Sequence, residues 1–178
     1  MLNMLRQIIS TRKPPIIVIH KSARFNLDEV SAVKEILEGK DTSYALIHIE
    51  SSNPYRGYGE ENLNETAVRG DLILDRELGN RAILLTTGCV QSDEGIRKRN
   101  RLGTPKPLEV EVEANTTPYS ARDFTRQILG LTKLDWNTTE LEVRMPITIK
   151  YARKVADLTP YLPYLPSTVA VTDVRDLM

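Results

Sequence analysis

The sequence predicts an α/β fold in which helices flank a mixed sheet. Residues 16–19 form a continuous β-branched run, Ile-Ile-Val-Ile, which is typical of a strand buried on both faces of a sheet. Apolar residues then recur with helical spacing over 30–37, and residues 44–49 form a second apolar strand. A strand, a helix and a strand in this order form a right-handed unit when the strands are parallel neighbours.

Helix boundaries are marked by capping residues. A first helix is predicted over 1–12, where the apolar residues share one face. Asn26 or Asp28 is placed to cap the helix over 30–37, because a short polar side chain at this position accepts from an exposed backbone amide. Gly39 then ends that helix.

The second half of the chain continues with strands and helices. Residues 71–74 and 82–87 flank a turn and predict a hairpin. Residues 108–113 alternate apolar residues with three glutamates, which predicts a strand with an exposed acidic face of the kind that guards a sheet edge. The remaining predictions are a helix over 120–133, an extended segment from 147 that becomes helical near Lys150, and a short terminal strand within 168–178.

The composition indicates one globular domain without disulfides. The chain has 178 residues, and 24 basic residues balance 24 acidic ones, so no net charge steers it toward nucleic acid or a membrane. Cys89 is the single cysteine and only two histidines are present, which argues against a zinc site. No run approaches the roughly 18 apolar residues of a membrane span. Without a signal-peptide pattern, the sequence favours a cytoplasmic protein.

One loop carries an unbalanced charge. Five cations lie between residues 97 and 106, with no acid among them. One interpretation is a solvated turn, since many charge runs only keep a surface soluble. The other is a phosphate-contacting loop, because the Gly-Thr-Pro at 103–105 lets backbone amides approach a phosphate.

Other cations lie near the predicted ends of elements. Lys21 and Arg24 follow the first strand, and Lys150 and Arg153 lie in the C-terminal segment. If these groups share one sheet edge with the basic loop, they form a groove for a nucleic-acid backbone. The candidate nucleic-acid-binding residues are Lys21, Arg24, Arg97, Lys98, Arg99, Arg101, Lys106, Lys150 and Arg153.

The sequence predicts no catalytic centre, no metal site and no other cofactor. Phosphodiester hydrolysis by two metals needs several carboxylates that converge on ions about 4 Å apart. The first strand instead ends in Lys21-Ser22. His20 and Ser22 form an i, i+2 pair with no third partner, which is far more often incidental than catalytic.

Five segments occur in an order and at a spacing that suggest a family. They read Ile-Ile-Val-Ile-His-Lys-Ser-Ala-Arg-Phe at 16–25, Leu-Leu-Thr-Thr-Gly at 84–88, Gly-Thr-Pro-Lys-Pro at 103–107, Gln-Ile-Leu-Gly-Leu-Thr-Lys-Leu-Asp-Trp-Asn at 127–137 and Pro-Ile-Thr-Ile-Lys-Tyr-Ala at 146–152. Together they resemble the C-terminal half of the PIWI domain of argonaute proteins, particularly prokaryotic ones. The resemblance covers residues from about 14 to 160.

The resemblance implies a ribonuclease-H-like fold that binds a guide strand paired to a target. Active members of the family cut the target with two divalent metals, held by an Asp-Glu-Asp-Asp/His set. The turn that carries one of those aspartates matches Lys21-Ser22-Ala23 here, and the last ligand falls on Arg153. Serine and arginine do not replace carboxylates as ligands of a hard cation. The resemblance therefore implies the catalytically inactive branch of these prokaryotic defence proteins.

The resemblance also implies a division of the chain and a set of partners. Residues 1–13 are expected to form an N-terminal segment, and 14–178 an incomplete PIWI domain. The family's middle domain and the first half of PIWI have no counterpart in the sequence. We expect guide and target nucleic acid as partners, and a second chain that supplies the missing half; a fragment or a degenerate reading frame is the alternative. A protein-interaction scaffold that docks an effector, without nucleic-acid contact, stays open as a second function class.

Overall fold

A five-stranded mixed sheet organises the computed structural model of this chain. The structure describes residues 2–57, 67–77, 79–92, 95–97, 104–135 and 143–164. The strands are β1 (Ile16–Lys21), β2 (Ser43–Glu50), β3 (Leu72–Leu74), β4 (Arg81–Leu84), β5 (Val90–Ser92), β6 (Gly95–Arg97) and β7 (Leu108–Asn115). The helices are α1 (Leu2–Arg12), α2 (Leu27–Leu37), α3 (Ala121–Leu131) and α4 (Ile147–Leu158), and a 3-10 helix (Thr159–Tyr164) follows α4.

The order of the strands confirms the predicted α/β fold. The sheet runs β1-β2-β7-β4-β3, in which β1 and β2 are parallel and the other neighbours are antiparallel. Helix α2 connects the two parallel strands, as the strand–helix–strand pattern predicts. Strands β3 and β4 form the predicted hairpin, and β5 pairs with β6 in a separate two-stranded ribbon.

Capping boxes mark where two of the helices begin. The Asn26 side chain accepts a hydrogen bond from the Glu29 amide, and the Glu29 carboxylate accepts one from the Asn26 amide. Ser120 and Asp123 form the same reciprocal pair at the start of α3. Asn26 rather than Asp28 is therefore the cap of α2. Each cap of this kind stabilises a helix by about 1 kcal/mol.

Both faces of the sheet carry an apolar core. On one face, Phe124 and Ile128 of α3 and Ile149 of α4 pack against Ile47 and Val110 of the central strands. On the other face, α1 and α2 pack against β1 and the start of β2; their core residues are Leu5, Ile9, Val33, Ile36, Leu37 and Leu46. Burial of each large aliphatic or aromatic side chain contributes about 1.5–3 kcal/mol. The result is a sheet between two helical layers.

Two sequence-based expectations differ from the structure, and a third is not tested by it. Residues of β1 were expected to be buried on both faces, but β1 is an edge strand of the described sheet and its six residues are half-buried. Helix α4 is helical from Ile147, not from Lys150, because Pro146 occupies the N-cap, where its missing amide costs nothing. The prediction of a terminal strand within 168–178 lies outside the described residues.

The acidic strand β7, by contrast, is not an edge strand. β7 lies in the centre of the sheet between β2 and β4. Its apolar residues point into the core, as the alternation predicts, but Glu109 is buried and Glu111 and Glu113 are half-buried. The prediction of an exposed acidic face is therefore wrong. The pattern of alternation is the same for an edge strand and for a central strand whose carboxylates find cationic partners.

Candidate nucleic-acid interface

Several elements of the sheet meet at one end of the molecule. The register places Lys21, the last residue of β1, beside His48 near the end of β2. It also places Leu84, the last residue of β4, beside Leu108, the first residue of β7. Ligands of open α/β sheets bind outside the carboxyl ends of the strands. We call the loops at this end the strand-end surface; they comprise residues 21–26, 51–57, 85–88 and 104–107.

Lys21 is held by an acid of the following helix. Its Nζ donates to both carboxylate oxygens of Glu29, at 2.7 and 2.6 Å, and to the Arg24 carbonyl at 3.2 Å. The same Nζ lies 5.3 Å from the centre of the Phe25 ring. The hydrogen bond from Lys21, together with that from the Asn26 amide, lowers the pKa of Glu29. Lys21 therefore fastens the turn after β1 to the N-terminus of α2.

Arg24 reaches back over the sheet to the acidic strand. Its Nη1 and Nη2 donate to the two carboxylate oxygens of Glu111 at 3.1 and 2.5 Å. The Phe25 amide donates to Glu113 at 2.8 Å. Arg81 of β4 pairs with Glu109 at 2.7 Å. We call Glu109, Glu111 and Glu113 the glutamate face. Each of its carboxylates accepts a hydrogen bond from, or forms an ion pair with, a residue of a neighbouring element.

Helix α4 carries two candidates, of which Lys150 forms an ion pair among the described residues and Arg153 forms none there. Lys150 forms an ion pair with Asp135, whose side chain is 1% exposed. The Tyr151 hydroxyl also lies 3.4 Å from that carboxylate. Arg153 lies one turn further along the helix and is exposed. No carboxylate in the described part of the chain forms an ion pair with Arg153.

The basic loop is described only at its two ends. Arg97 is the last residue of β6, where it pairs with Val90. Lys106 is exposed in the segment that leads into β7. The candidates Lys98, Arg99 and Arg101 lie outside the described residues.

A half-buried arginine, Arg144, holds the end of this loop in place. Arg144 donates from Nε to the Lys106 carbonyl at 3.1 Å, and from Nη2 to the carbonyls of Pro107 at 3.0 Å and Ser51 at 2.5 Å. The Thr86 hydroxyl donates to the Arg144 carbonyl at 2.8 Å. Arg144 thus joins the loop before β7 to the loop after β2.

The turn after β4 requires a glycine at position 88, two residues after Thr86. Gly88 has a φ of 138°, and a Cβ atom at this position would lie 2.3 Å from the Ala67 carbonyl oxygen. The Cys89 amide donates to that same oxygen at 3.1 Å. The close approach of two backbones therefore explains why the Thr-Thr-Gly segment ends in glycine.

His20 lies on the face of the sheet that α4 covers. Its Nδ1 lies 2.9 Å from the Thr148 hydroxyl, and its Nε2 is buried without a hydrogen-bond partner in the described part of the chain. Burial lowers the pKa of His20 to about 4, so the ring is neutral at pH 7. Ser22 is exposed, and among the described residues it forms no hydrogen bond with the His20 ring. His20 therefore anchors α4 to β1 instead of activating Ser22.

Solved argonaute structures contain the same arrangement of strands and helices. Clostridium butyricum Argonaute bound to a guide DNA and a 19-mer target DNA matches 90% of this chain with a TM-score of 0.69 and 21% identity. The chain has the fold of a PIWI-like segment of argonautes.

Two further argonautes match over a similar extent. Aquifex aeolicus Argonaute matches 89% of this chain with a TM-score of 0.63 and 24% identity. Marinitoga piezophila Argonaute, in complex with a 5′ OH guide RNA and target DNA, matches 87% with a TM-score of 0.62 and 21% identity. This chain spans 20–22% of the length of these three structures. No protein-family model and no curated protein sequence matches it.

Ser22 and Arg153, the two residues that the sequence resemblance aligns with metal-binding positions, are both exposed. A guanidinium is cationic and has no acceptor atom, so it repels a metal ion where a carboxylate would bind it. In residues 2–57 and the other described ranges, no group of three or more His, Cys, Asp and Glu side chains could hold a metal ion.

The sequence patterns did not predict Arg56 of the strand-end surface or Arg144, which binds two of its loops. Arg56 stands alone in a polar loop, and Arg144 stands alone before Met145-Pro146, so neither belongs to a run of charges. A signal existed for Arg56, because its loop follows the buried run 44–49 and must leave the same sheet end as Lys21. Nothing in the local sequence of Arg144 indicates its three carbonyl partners.

None of the described helices has the length and the apolar character that crossing a membrane requires.

Proposed function

We propose that this chain is a nucleic-acid-binding module of an inactive, cytoplasmic, argonaute-like protein of prokaryotic defence. The module helps to hold a guide strand and its target without cutting the target. The observation that carries this proposal is the fold, since two of the argonautes that share it are bound to a guide and a target strand. The module comprises 14–178, with 1–13 as an added segment whose helix α1 joins the core through Leu5 and Ile9.

The cations of the module support contact with the backbone instead of the bases. Lys106 and Arg153 are exposed, and no carboxylate in the described residues pairs with them. Lys21, Arg24 and Lys150 are each paired with an acid, so they contribute to binding only where a phosphate displaces that acid. Phosphate contacts carry no sequence information, and they weaken steeply as salt rises.

Lack of cleavage follows from the chemistry of two positions. Ser22 and Arg153 stand where the argonaute resemblance places metal-binding side chains in a ribonuclease-H-like site. Neither provides the carboxylate oxygens that two-metal hydrolysis of a phosphodiester needs. The proposed module therefore binds and does not hydrolyse.

A filter-binding assay with a short guide–target duplex tests this function. The chain is expected to bind, to lose affinity steeply with salt, and to leave the target intact in Mg²⁺ and Mn²⁺. Alanine at Arg99, Arg101 and Lys106 together is expected to weaken binding and flatten its salt dependence. Unchanged affinity of that triple variant overturns the role of the basic loop. Cleavage that disappears on mutation of one acidic residue overturns the inactive assignment.

The free edge of β1 favours a second candidate function, the docking of a partner chain. Within the described sheet β1 pairs only with β2, and its Ile-Ile-Val-Ile run is half-buried. An unpaired apolar edge is a template for another strand. We propose that the added strand belongs to a chain with the first half of PIWI and the middle domain, or to an effector. Co-purification with such a chain supports this; a monodisperse monomer with a sharp cooperative melt contradicts it.

A further inference from the structure

Strand β3 forms one edge of the five-stranded sheet. On its inner side it pairs with β4, to which the Asp75 amide donates a hydrogen bond at the Arg81 carbonyl, at 2.9 Å. The backbone groups of successive residues in an antiparallel strand point to opposite sides. The N–H and C=O groups of Leu72 and Leu74 therefore point away from β4. No strand in the described part of the chain pairs with this outer side.

The edge at β3 is also apolar. Ile73 is 65% exposed and Leu74 is 40% exposed, although both belong to a strand of the sheet. The register places Ile73 beside Ile83 of β4, on the same face of the sheet as Glu109. Within the described chain, the apolar core on this face includes no residue of β3 or β4. An unpaired apolar edge of this kind is a template for another strand.

Two carboxylates bracket the exposed Ile73. Asp71 and Asp75 lie two residues before and two residues after it, so all three side chains belong to the same face of the strand. The Val68 amide donates to the Asp71 carboxylate at 2.9 Å. The Glu77 amide donates to the Asp75 carboxylate, also at 2.9 Å. Local backbone groups thus hold both acids at the edge, which has an acid–apolar–acid pattern.

This pattern argues against pairing of the edge with a second copy of the chain. The antiparallel register that uses all four outward groups places Leu72 opposite Leu74 of the other copy. Asp71 then lies opposite Asp75 of the other copy, and like charges directly opposite each other destabilise a pair of strands. A parallel register places each aspartate beside its own counterpart, with the same result. Strand β1, the other edge, carries one cation, Lys21, and so matches only one of the two acids.

We propose that the edge of β3 docks an extended segment of a partner protein, in which a lysine or arginine stands two residues before and two residues after an apolar residue. The segment adds a strand to the sheet through the backbone groups of Leu72 and Leu74. Its apolar residue covers Ile73, and its two cations lie opposite Asp71 and Asp75. In strand addition, main-chain hydrogen bonds supply affinity and alternate side chains supply specificity.

Amide hydrogen exchange of the full chain, followed residue by residue by NMR, tests the proposal. The probe is a short peptide with the palindromic core lysine-threonine-valine-threonine-lysine, which fits β3 in either direction. NMR suits this probe because a contact of about five residues buries too little area for tight binding. With the peptide, the amides of Leu72 and Leu74 are expected to exchange several-fold more slowly, whereas the Ile73 amide, which faces β4, changes little. No slowing at Leu72 and Leu74, or slowing in β1 instead, overturns the site.

The charge match is tested by a pair of double variants. Asp71→Asn/Asp75→Asn keeps side-chain oxygens that accept from the backbone, and it is expected to bind the peptide roughly 2- to 30-fold more weakly. The control Glu35→Gln/Asp157→Asn removes the same charge from exposed positions of α2 and α4, and it is expected to bind as the wild type does. A loss of the same size in both variants overturns the proposal. Equal wild-type affinity for a peptide with glutamates in place of the lysines overturns it as well.

A proline substitution tests the backbone contact. Leu74→Pro removes an outward N–H group and no hydrogen bond to β4, so the sheet is expected to persist while binding of the peptide disappears. Slow exchange of the Ile73 amide in this variant shows that β3 is still paired with β4. Undiminished binding of the peptide by the folded variant overturns strand addition.

Two other occupants of the edge would be detected without the peptide. Protection of the Leu72 and Leu74 amides that rises with the concentration of the chain alone identifies a second copy as the occupant. Protection that is independent of concentration identifies a segment of the chain itself. Either result overturns the proposed partner. The docking site and the proposed function fail separately, because none of these measurements involves a nucleic acid.

Discussion

The cations that face the glutamate face differ from those in the loops at 51–57 and 104–107. On the glutamate face, Arg24 and Arg81 cross from other elements to reach carboxylates at 2.5 and 2.7 Å. In the two loops, Arg56 and Lys106 have no carboxylate partner among the described residues. Within the described part of the chain, the positive charge of the loops is therefore not neutralised by a carboxylate.

The difference shows why a run of cations is a weak predictor of a binding site. Of the candidates chosen from the sequence, Lys21, Arg24 and Lys150 are engaged with acids in the folded chain. A cation in an ion pair must be released before it binds phosphate, and this reduces its net contribution. Isolated cations such as Arg56 lack that cost. Substitutions that separate a role in stability from a role in binding therefore sharpen the comparison.

Lys150→Met is expected to have the largest effect on stability. It removes the Lys150 ammonium from the Asp135 carboxylate, whose side chain is 1% exposed. Loss of one partner of a buried pair costs roughly 3 kcal/mol. Urea denaturation checks this, with Arg153→Met on the same helix as the control, for which a change below about 0.5 kcal/mol is expected. Equal effects of the two substitutions would contradict a structural role for Lys150.

Arg81→Met is expected to have the second-largest effect on stability, lowering the free energy of unfolding by about 2 kcal/mol. Its partner Glu109 has a side chain that is 10% exposed, so the carboxylate that remains is poorly solvated. The comparison is Arg24→Met, which leaves Glu111 with an 18% exposed side chain and removes a mostly exposed partner. The loss of stability for Arg24→Met is expected to be smaller than that for Arg81→Met, because an exposed ion pair contributes little. If Arg24→Met lowers stability more than Arg81→Met does, then burial of the partner carboxylate does not determine the size of the loss.

The ion pair between Lys21 and Glu29 predicts that the stability of the fold depends on pH in the acidic range. The folded chain lowers the pKa of Glu29 below its ordinary value of 4.5, so the ionised carboxylate stabilises the fold. That contribution is complete above pH 4.5 and is lost as the pH falls through the lower pKa of the folded state. Glu29→Gln should therefore lose less stability than the wild type between about pH 5 and pH 3. If thermal melts show the same pH dependence of stability for Glu29→Gln and the wild type, the prediction is contradicted.

Lys106→Met is expected to have the smallest effect on stability. Its side chain is exposed, and only its carbonyl is bound by Arg144. A change below about 0.5 kcal/mol is expected in urea denaturation. The same substitution should lower the salt slope of duplex binding by about 0.9. A large loss of stability would place Lys106 with the structural cations instead.

Local patterns account for most of the elements. The β-branched run of β1, the Ser120 cap of α3 and the hairpin of β3 and β4 were all predictable, because each depends on residues close in the chain. The start of α4 was misplaced by three residues, because the pattern alone did not show that Pro146 sits at the N-cap. The position of β7 was misjudged for a different reason. Alternation predicts that two faces differ, but it does not specify what covers each face.

The sequence by itself determined the α/β class, the capped helices and which residues carry charge. The tertiary structure alone decided which of those charges remain available. Arg24 and Glu111 are 87 residues apart in the chain, and Arg144 and Ser51 are 93 apart. Such contacts depend on the strand order and register, because an ion pair or hydrogen bond forms only when folding brings donor and acceptor within about 3 Å of each other.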